Sequence, residues 1–154
     1  MTHLKKGDKA PEFESFSYNG DKISLKDFIG QKVILFFYPK DNTPGCTAEN
    51  CNLRDNYQLL KNKGFAIIGI SADDDKSHEK FAKKFNLPFP LIPDKDKKII
   101  NSYNVWDKKT FMGKITEGIN RTTFIIDENG FILHIFTKVD TANHAKQILD
   151  TLNI

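Results

Sequence analysis

The chain is poor in most features that advertise a function. It has two cysteines, one tryptophan, two methionines and four histidines in 154 residues. No apolar run approaches the length that crosses a bilayer. Met1-Thr2-His3-Leu4-Lys5-Lys6-Gly7-Asp8 lacks the apolar region of a targeting signal, so a cytoplasmic location is expected. Charge of one sign is also lacking: 23 basic and 20 acidic residues leave a net +3, spread along the chain. That balance argues for neither nucleic acid nor a membrane as partner. His3, His78, His134 and His144 are scattered, without ligand spacing to one another or to the cysteines. Asp73-Asp74-Asp75 reads as a solvated helix start rather than a calcium loop or metal pair. No metal is expected. No repeat, low-complexity tract or linker interrupts residues 1–154, which are expected to form one domain with a sizeable core.

What is present is concentrated in one place. The apolar run Val33-Ile34-Leu35-Phe36-Phe37 leads into Tyr38-Pro39-Lys40-Asp41-Asn42-Thr43-Pro44-Gly45-Cys46, and Cys51 follows. Thr43 suits a helix N-cap and Pro44 the first helical position. A cysteine there sits among unpaired backbone N–H groups at the positive end of the helix dipole, which favours the nucleophilic thiolate. In a reducing compartment two such cysteines point to redox chemistry rather than a structural staple.

The flanking sequence predicts alternating strands and helices. Residues 12–16 read as an edge strand, with a turn at Asn19-Gly20 and one helical turn near residues 24–28. Residues 33–38 form an apolar run without alternation, as in a strand buried on both faces. Residues 43–62 read as one helix closed by Gly64. A second buried strand spans 65–71, a helix 76–85 with Phe81, Ala82 and Phe85 inward, a short strand 91–92 and a short helix 95–103. Residues 105–119 have no clear period and read as a long loop. Strands at 122–127 and 131–136 are joined by Glu128-Asn129-Gly130, and a helix over 141–152 closes the chain with Ala145, Ile148, Leu149 and Leu152 inward. This order predicts an α/β sandwich with a mixed sheet.

The cysteine spacing has a geometric consequence. On an intact helix, residues five apart have Cα atoms roughly 8–9 Å apart on different faces. A disulfide needs Cα atoms within about 7 Å. Cys46 and Cys51 therefore bond only if the first turns of the helix unwind.

Pro39-x-x-x-Thr43-x-x-Cys46 matches the active-site motif of peroxiredoxins. The longer run from Phe37 to Cys51, with Thr47 and Glu49 inside it, closely resembles the bacterioferritin-comigratory or Q-type subfamily. Gly118-Ile119-Asn120-Arg121-Thr122-Thr123-Phe124-Ile125-Ile126-Asp127 resembles the segment carrying that family's active-site arginine, and residues 106–114 resemble a loop of the subfamily. The resemblance runs from Gly7-Asp8-Lys9-Ala10-Pro11 to the last helix. It implies a thioredoxin-like fold with an N-terminal extension and reduction of peroxides without metal, haem or flavin. By the same resemblance Cys46 is peroxidatic and becomes a sulfenic acid. Cys51 resolves it as an intramolecular disulfide, and thioredoxin or a similar dithiol reduces that disulfide. A monomer is expected.

Physical roles follow for the remaining motif residues. Arg121 would donate hydrogen bonds to the thiolate and the peroxide. Thr43 would cap the helix and orient the peroxide, Pro39 would shield the site, and the amides of residues 44–46 would face a developing oxyanion. Glu49 either supports Arg121 or faces solvent. Trp106 and Phe111 either line the pocket or pack on the core. Two other functions remain open on the residues alone: a general dithiol–disulfide oxidoreductase, although Cys-x-x-Cys is absent, and a redox sensor that exposes apolar surface when the helix melts.

Overall fold

The computed structural model describes the backbone of residues 1–154 and every side chain except those of Lys109 and Phe111. In chain order the elements are β1 (Glu14–Phe16), β2 (Lys22–Ser24), a 3-10 turn (Leu25–Phe28), β3 (Lys32–Phe37), α1 (Pro44–Asp55), α2 (Tyr57–Asn62) and β4 (Phe65–Ser71). There follow α3 (Asp75–Phe85), β5 (Leu91–Pro93), α4 (Lys98–Ser102), β6 (Trp106–Phe111), β7 (Lys114–Ile119), β8 (Thr122–Ile126), β9 (Ile132–Phe136) and α5 (His144–Leu152). Among the described residues, no helix is long and apolar enough to cross a membrane.

The central sheet has the order β5-β4-β3-β8-β9. β3 pairs parallel with β4 and antiparallel with β8, so the sheet is mixed, as the alternation of elements predicts. β3 is the middle strand, and its unbroken apolar run is what a strand covered on both faces requires. Side chains alternate across the sheet. Val33, Leu35 and Phe37 enter one core with Phe124, Ile126, Ile99, Ile100 and Tyr103. Ile34, Phe36 and Tyr38 enter the other, with Cys46, Leu53, Leu60, Phe81, Ala145 and Ile148. Helices α1, α2, α3 and α5 thus cover one face. The N-terminal segment and α4 cover the other.

Two expectations fail. The helix expected over 43–62 breaks at Asn56, whose backbone (φ −107°, ψ 11°) leaves the helical region and separates α1 from α2. The Asn56 amide Nδ2 donates to the Asn52 carbonyl at 2.8 Å. Asparagine side chains that bond the local backbone in this way compete with helix continuation. The loop expected over 105–119 is a hairpin, β6 paired antiparallel with β7 from Trp106↔Ile119 to Phe111↔Lys114. Its two-residue connection, Met112-Gly113, has φ of 50° and 78°, the doubly positive geometry whose twist suits a tight hairpin. β7 is solvent-exposed along most of its length. Without a buried face it carries no apolar alternation, so the pattern that marks a strand is missing.

Candidate active site

Topology explains why Cys46 and Arg121, 75 residues apart, meet. β3 ends at Phe37, which pairs with Thr122, the first residue of the antiparallel β8. The residue preceding β8 therefore lands at the C-terminal edge of β3, where the chain turns into α1. That edge of parallel strands is where α/β folds build their sites.

Cys46 lies in the first turn of α1 and is fully buried, its side chain part of the core. Thr47 N–H donates to the Thr43 carbonyl at 2.8 Å, the first bond of the helix. Pro44 has no N–H. The expectation of amide donors at residues 44–46 is therefore corrected to Gly45 and Cys46, the two amides of that turn left without an intrahelical acceptor. Arg121 Nη2 donates to Cys46 Sγ at 3.2 Å, and its Nη1 donates to Glu49 Oε1 at 2.7 Å. Arg121 thus joins two side chains of α1, one turn apart, to the mouth of β8. Burial works against the guanidinium charge, but Glu49 and Cys46 more than offset it and raise the arginine pKa. Gly45 makes room for this contact: a Cβ there would sit 3.1 Å from Arg121 Nη2.

Glu49 supports Arg121 and does not face solvent. Its side chain is fully buried. Burial pushes its pKa up to about 7, with Arg121 opposing that rise. Thr43 occupies the N-cap position but makes no capping bond; its hydroxyl donates to the Lys40 carbonyl at 2.9 Å. The capping expectation is corrected on this point, because the hydroxyl turns back along the loop instead of forward over the helix. Pro39 is exposed at the exit of β3. Cys51 is half-buried on the intact α1 and unbonded to Cys46. Burial pushes its thiol pKa above the ordinary cysteine value. Trp106 packs against the core face opposite α1, with Lys97 Nζ 4.8 Å over its ring, so it belongs to the core and not to the Cys46 site. The Phe111 side chain lies outside the described residues.

Two buried networks around this site have no counterpart in the sequence reading. In the first, Asp41 of the β3–α1 loop accepts from Tyr38 Oη (2.6 Å) and Ser77 Oγ (2.8 Å), and its Oδ2 lies 2.7 Å from His78 Nδ1. Asp41 N–H donates to Asp73 Oδ2 at 2.9 Å, which also accepts from Ser71 Oγ at 2.6 Å. The loop leading to Cys46 is therefore clasped to α3 and to the end of β4. Asp73 turns inward and Asp74 caps α3 through Ser77 N–H, which corrects the reading of this triplet as uniformly solvated. Asp41, Asp73 and His78 could each offer a ligand atom to a cation. Both Asp41 oxygens and Asp73 Oδ2 are already engaged by hydroxyl and amide donors, which fits a hydrogen-bonded clasp better than a metal site. The second network lies behind Glu49: His144 Nε2 is 2.8 Å from Thr123 Oγ1 and 3.8 Å from Glu49 Oε2, and Nδ1 is 2.9 Å from Gln147 Oε1. Burial lowers the His144 pKa to about 4. His78 precedes Phe81 by three residues and His144 precedes Ile148 by four. Their places on the inner faces of α3 and α5 were the available signal.

Comparison with known proteins agrees with this geometry. The sequence pattern of the AhpC/TSA family matches residues 6–135. Peroxiredoxin Bcp of Escherichia coli (strain K12) is 43% identical over 152 residues, covering 99% of this chain and 97% of its own. Peroxiredoxin Bcp of Bacillus subtilis (strain 168) is 40% identical over 146 residues, covering 95% and 93%. Among solved structures, the Xanthomonas campestris bacterioferritin comigratory protein, studied for its alkyl peroxide reduction activity, superposes with a TM-score of 0.89 at 30% identity, covering 99% of this chain and 98% of its own. Mycobacterium tuberculosis BcpB gives 0.85 at 32% identity, covering 98% and 97%. With a thioredoxin-like α/β fold and matches spanning nearly all its length, the chain belongs to the AhpC/TSA family and is a peroxiredoxin, a peroxidase of the oxidoreductase class.

Proposed function

We propose that the protein reduces hydrogen peroxide and organic hydroperoxides through Cys46, with Cys51 as resolving cysteine and a thioredoxin-type dithiol as reductant. The observation that carries this reading is the Arg121 guanidinium, shared between Cys46 Sγ and the buried Glu49. The sulfur attacks as thiolate and takes the terminal oxygen of the peroxide. The O–O bond breaks, Cys46 becomes a sulfenic acid, and the leaving alkoxide or hydroxide takes a proton to become alcohol or water. Arg121 and the Gly45 and Cys46 amides are placed to bind the negative charge that passes to oxygen. The Thr43 hydroxyl has committed its proton to Lys40, which leaves its oxygen as an acceptor for the peroxide O–H. Pro39, at the exit of β3, fixes the entry to this loop.

Oxidation weakens the tie that holds α1 in place. A sulfenic acid is neutral where the thiolate was charged, so the Arg121 contact loses its charge assistance. The first turns of α1 can then open, and the Cys51 thiol condenses with the sulfenic acid to give a disulfide and water. A dithiol reduces that disulfide by exchange and is itself oxidised. The expected setting is the cytoplasm, as a monomeric single domain.

NADPH-coupled turnover with thioredoxin and its reductase tests the scheme. Cys46→Ser should consume no peroxide. Cys51→Ser should form one equivalent of sulfenic acid and then stall. Full turnover by Cys51→Ser would remove the resolving assignment, and activity in Cys46→Ser would remove the mechanism.

A further inference from the structure

Glu49 Oε2 is buried and, among the described residues, has no hydrogen-bond partner. His144 Nε2 lies 3.8 Å from it. The hydrogen bonds around His144 fix which nitrogen carries the proton. Gln147 Nε2 donates to the Lys138 carbonyl, and Gln147 Oε1 accepts from Asp140 N–H, so the amide orientation is set. His144 Nδ1 faces that same Oε1 at 2.9 Å and must therefore be the N–H. In the neutral ring Nε2 is then bare and accepts from Thr123 Oγ1 at 2.8 Å. Glu49 Oε2 thus lies beside a nitrogen that has no proton to offer it, 3.8 Å away. A buried carboxylate oxygen without a donor is unfavourable, and the neutral carboxyl is the less costly state.

We propose that in the reduced protein Glu49 is a neutral carboxylic acid, its proton on Oε2, the oxygen that Arg121 does not engage, so that the charge of Arg121 acts on the Cys46 sulfur and the bound peroxide instead of being cancelled within the Glu49–Arg121 pair. Glu49 is on this view a positioning and charge-setting residue that acts through Arg121. The groups facing it are Arg121, just before β8, and His144 on α5; Cys46 on α1 acts on Arg121, and Asp140 ahead of α5 acts on His144. Burial raises the Glu49 pKa to about 7 and lowers that of His144 to about 4. Both directions agree with a proton on the carboxyl and none on Nε2. When Glu49 ionises, the buried site holds two anions against one guanidinium, and the thiolate and the developing oxyanion lose net attraction. The kinetic part of this inference rests on the proposed peroxide chemistry of Cys46; the resting proton does not.

Infrared difference spectroscopy on the reduced full-length protein, without peroxide, reads the proton directly. A protonated buried carboxyl band should titrate away with a midpoint near 7 and be absent in Glu49→Gln. Nitrogen-15 NMR should show His144 neutral with its proton on Nδ1 at neutral pH. In stopped flow, the second-order rate with hydrogen peroxide should fall on the order of tenfold as Glu49 ionises. That alkaline limb should be missing from Glu49→Gln. The absence of a Glu49 acid band above pH 6, a doubly protonated His144 at pH 7, or a rate without an alkaline limb would overturn the proposal. An intact band in a protein that ignores peroxide would support the resting proton and defeat the peroxidase reading.

Discussion

Gly45→Ala separates stability from reactivity at a single carbon atom. The new Cβ would meet Arg121 Nη2 at 3.1 Å, closer than carbon and nitrogen normally approach without a hydrogen bond. The guanidinium cannot simply swing away, because Glu49 holds its other arm at 2.7 Å. It must give way by a few tenths of an ångström, in a contact with Cys46 Sγ that is 3.2 Å long. Hydrogen bonds to charged groups contribute about 1.5–3 kcal/mol, so losing a third to a half of one costs about 1 kcal/mol, or roughly fivefold in rate. The backbone effect has the opposite sign. Gly45 lies inside α1 without a positive φ, and alanine in a helix is favoured over glycine by about 0.5–1 kcal/mol. The expected variant is as stable as the parent or slightly more so, and reacts about fivefold more slowly with peroxide. Gly118→Ala, where an added Cβ meets nothing within 4 Å, is the control: it removes a glycine from β7 and should leave the peroxide rate unchanged. Stopped-flow oxidation and urea unfolding of the reduced proteins measure the two quantities. A Gly45→Ala protein with the parental rate would refute the claim that Arg121 placement limits reactivity. A slow protein that is also destabilised by more than about 1 kcal/mol would show general damage to the helix.

Three further outcomes are expected. Glu49, with its pKa raised from 4.5 to about 7, adds stability that is complete below pH 4.5 and is lost as pH rises toward 7; His144, lowered from 6.5 to about 4, adds stability that is complete above pH 6.5 and is lost as pH falls toward 4. Each amounts to about 3 kcal/mol, and between pH 4.5 and 6.5 they cancel, so Glu49→Gln should turn a flat stretch of the urea-midpoint curve into one that climbs with pH. Asp41→Asn leaves the clasp without enough acceptors and should cost about 1–3 kcal/mol; it should also speed amide exchange over residues 42–46, slow the peroxide reaction and hasten disulfide formation, whereas unchanged exchange in that loop would show that the clasp does not hold it. Oxidation to the Cys46–Cys51 disulfide should lower the far-ultraviolet helix signal and abolish amide protection across residues 44–54, and a fully protected α1 in the oxidised protein would contradict the spacing argument.

The parts of the molecule legible in the sequence are those set by local rules. β3 shows as a continuous apolar run because both its faces are covered, and the start of α1 shows because proline and threonine mark the first turn. Arg121 is different: nothing local distinguishes it from a surface arginine. Its link to Cys46 came from resemblance to a known motif, and the reason for it is the antiparallel pairing of β3 with β8. The clasp and the Glu49–His144 pair stayed hidden for the same reason. Asp41 and His78 are 37 residues apart, and Thr123 and His144 are 21 apart. Such pairs are set by which strands neighbour which, and the periodicity of a chain does not carry that. The β6–β7 hairpin is illegible for a converse reason, since an element that covers no core writes no hydrophobic pattern.

The two faces of β3 have an evolutionary consequence. Ile34, Phe36 and Tyr38 look toward the helix that carries the reactive sulfur, and Tyr38 also anchors the loop before it. Val33, Leu35 and Phe37 look toward a core that contains none of the chemistry. Substitutions arising on that second side can retune tolerance to heat while the reactive geometry stays as it was. Lineages adapting to different temperatures have one face of a single strand on which to vary and another on which variation meets selection for catalysis.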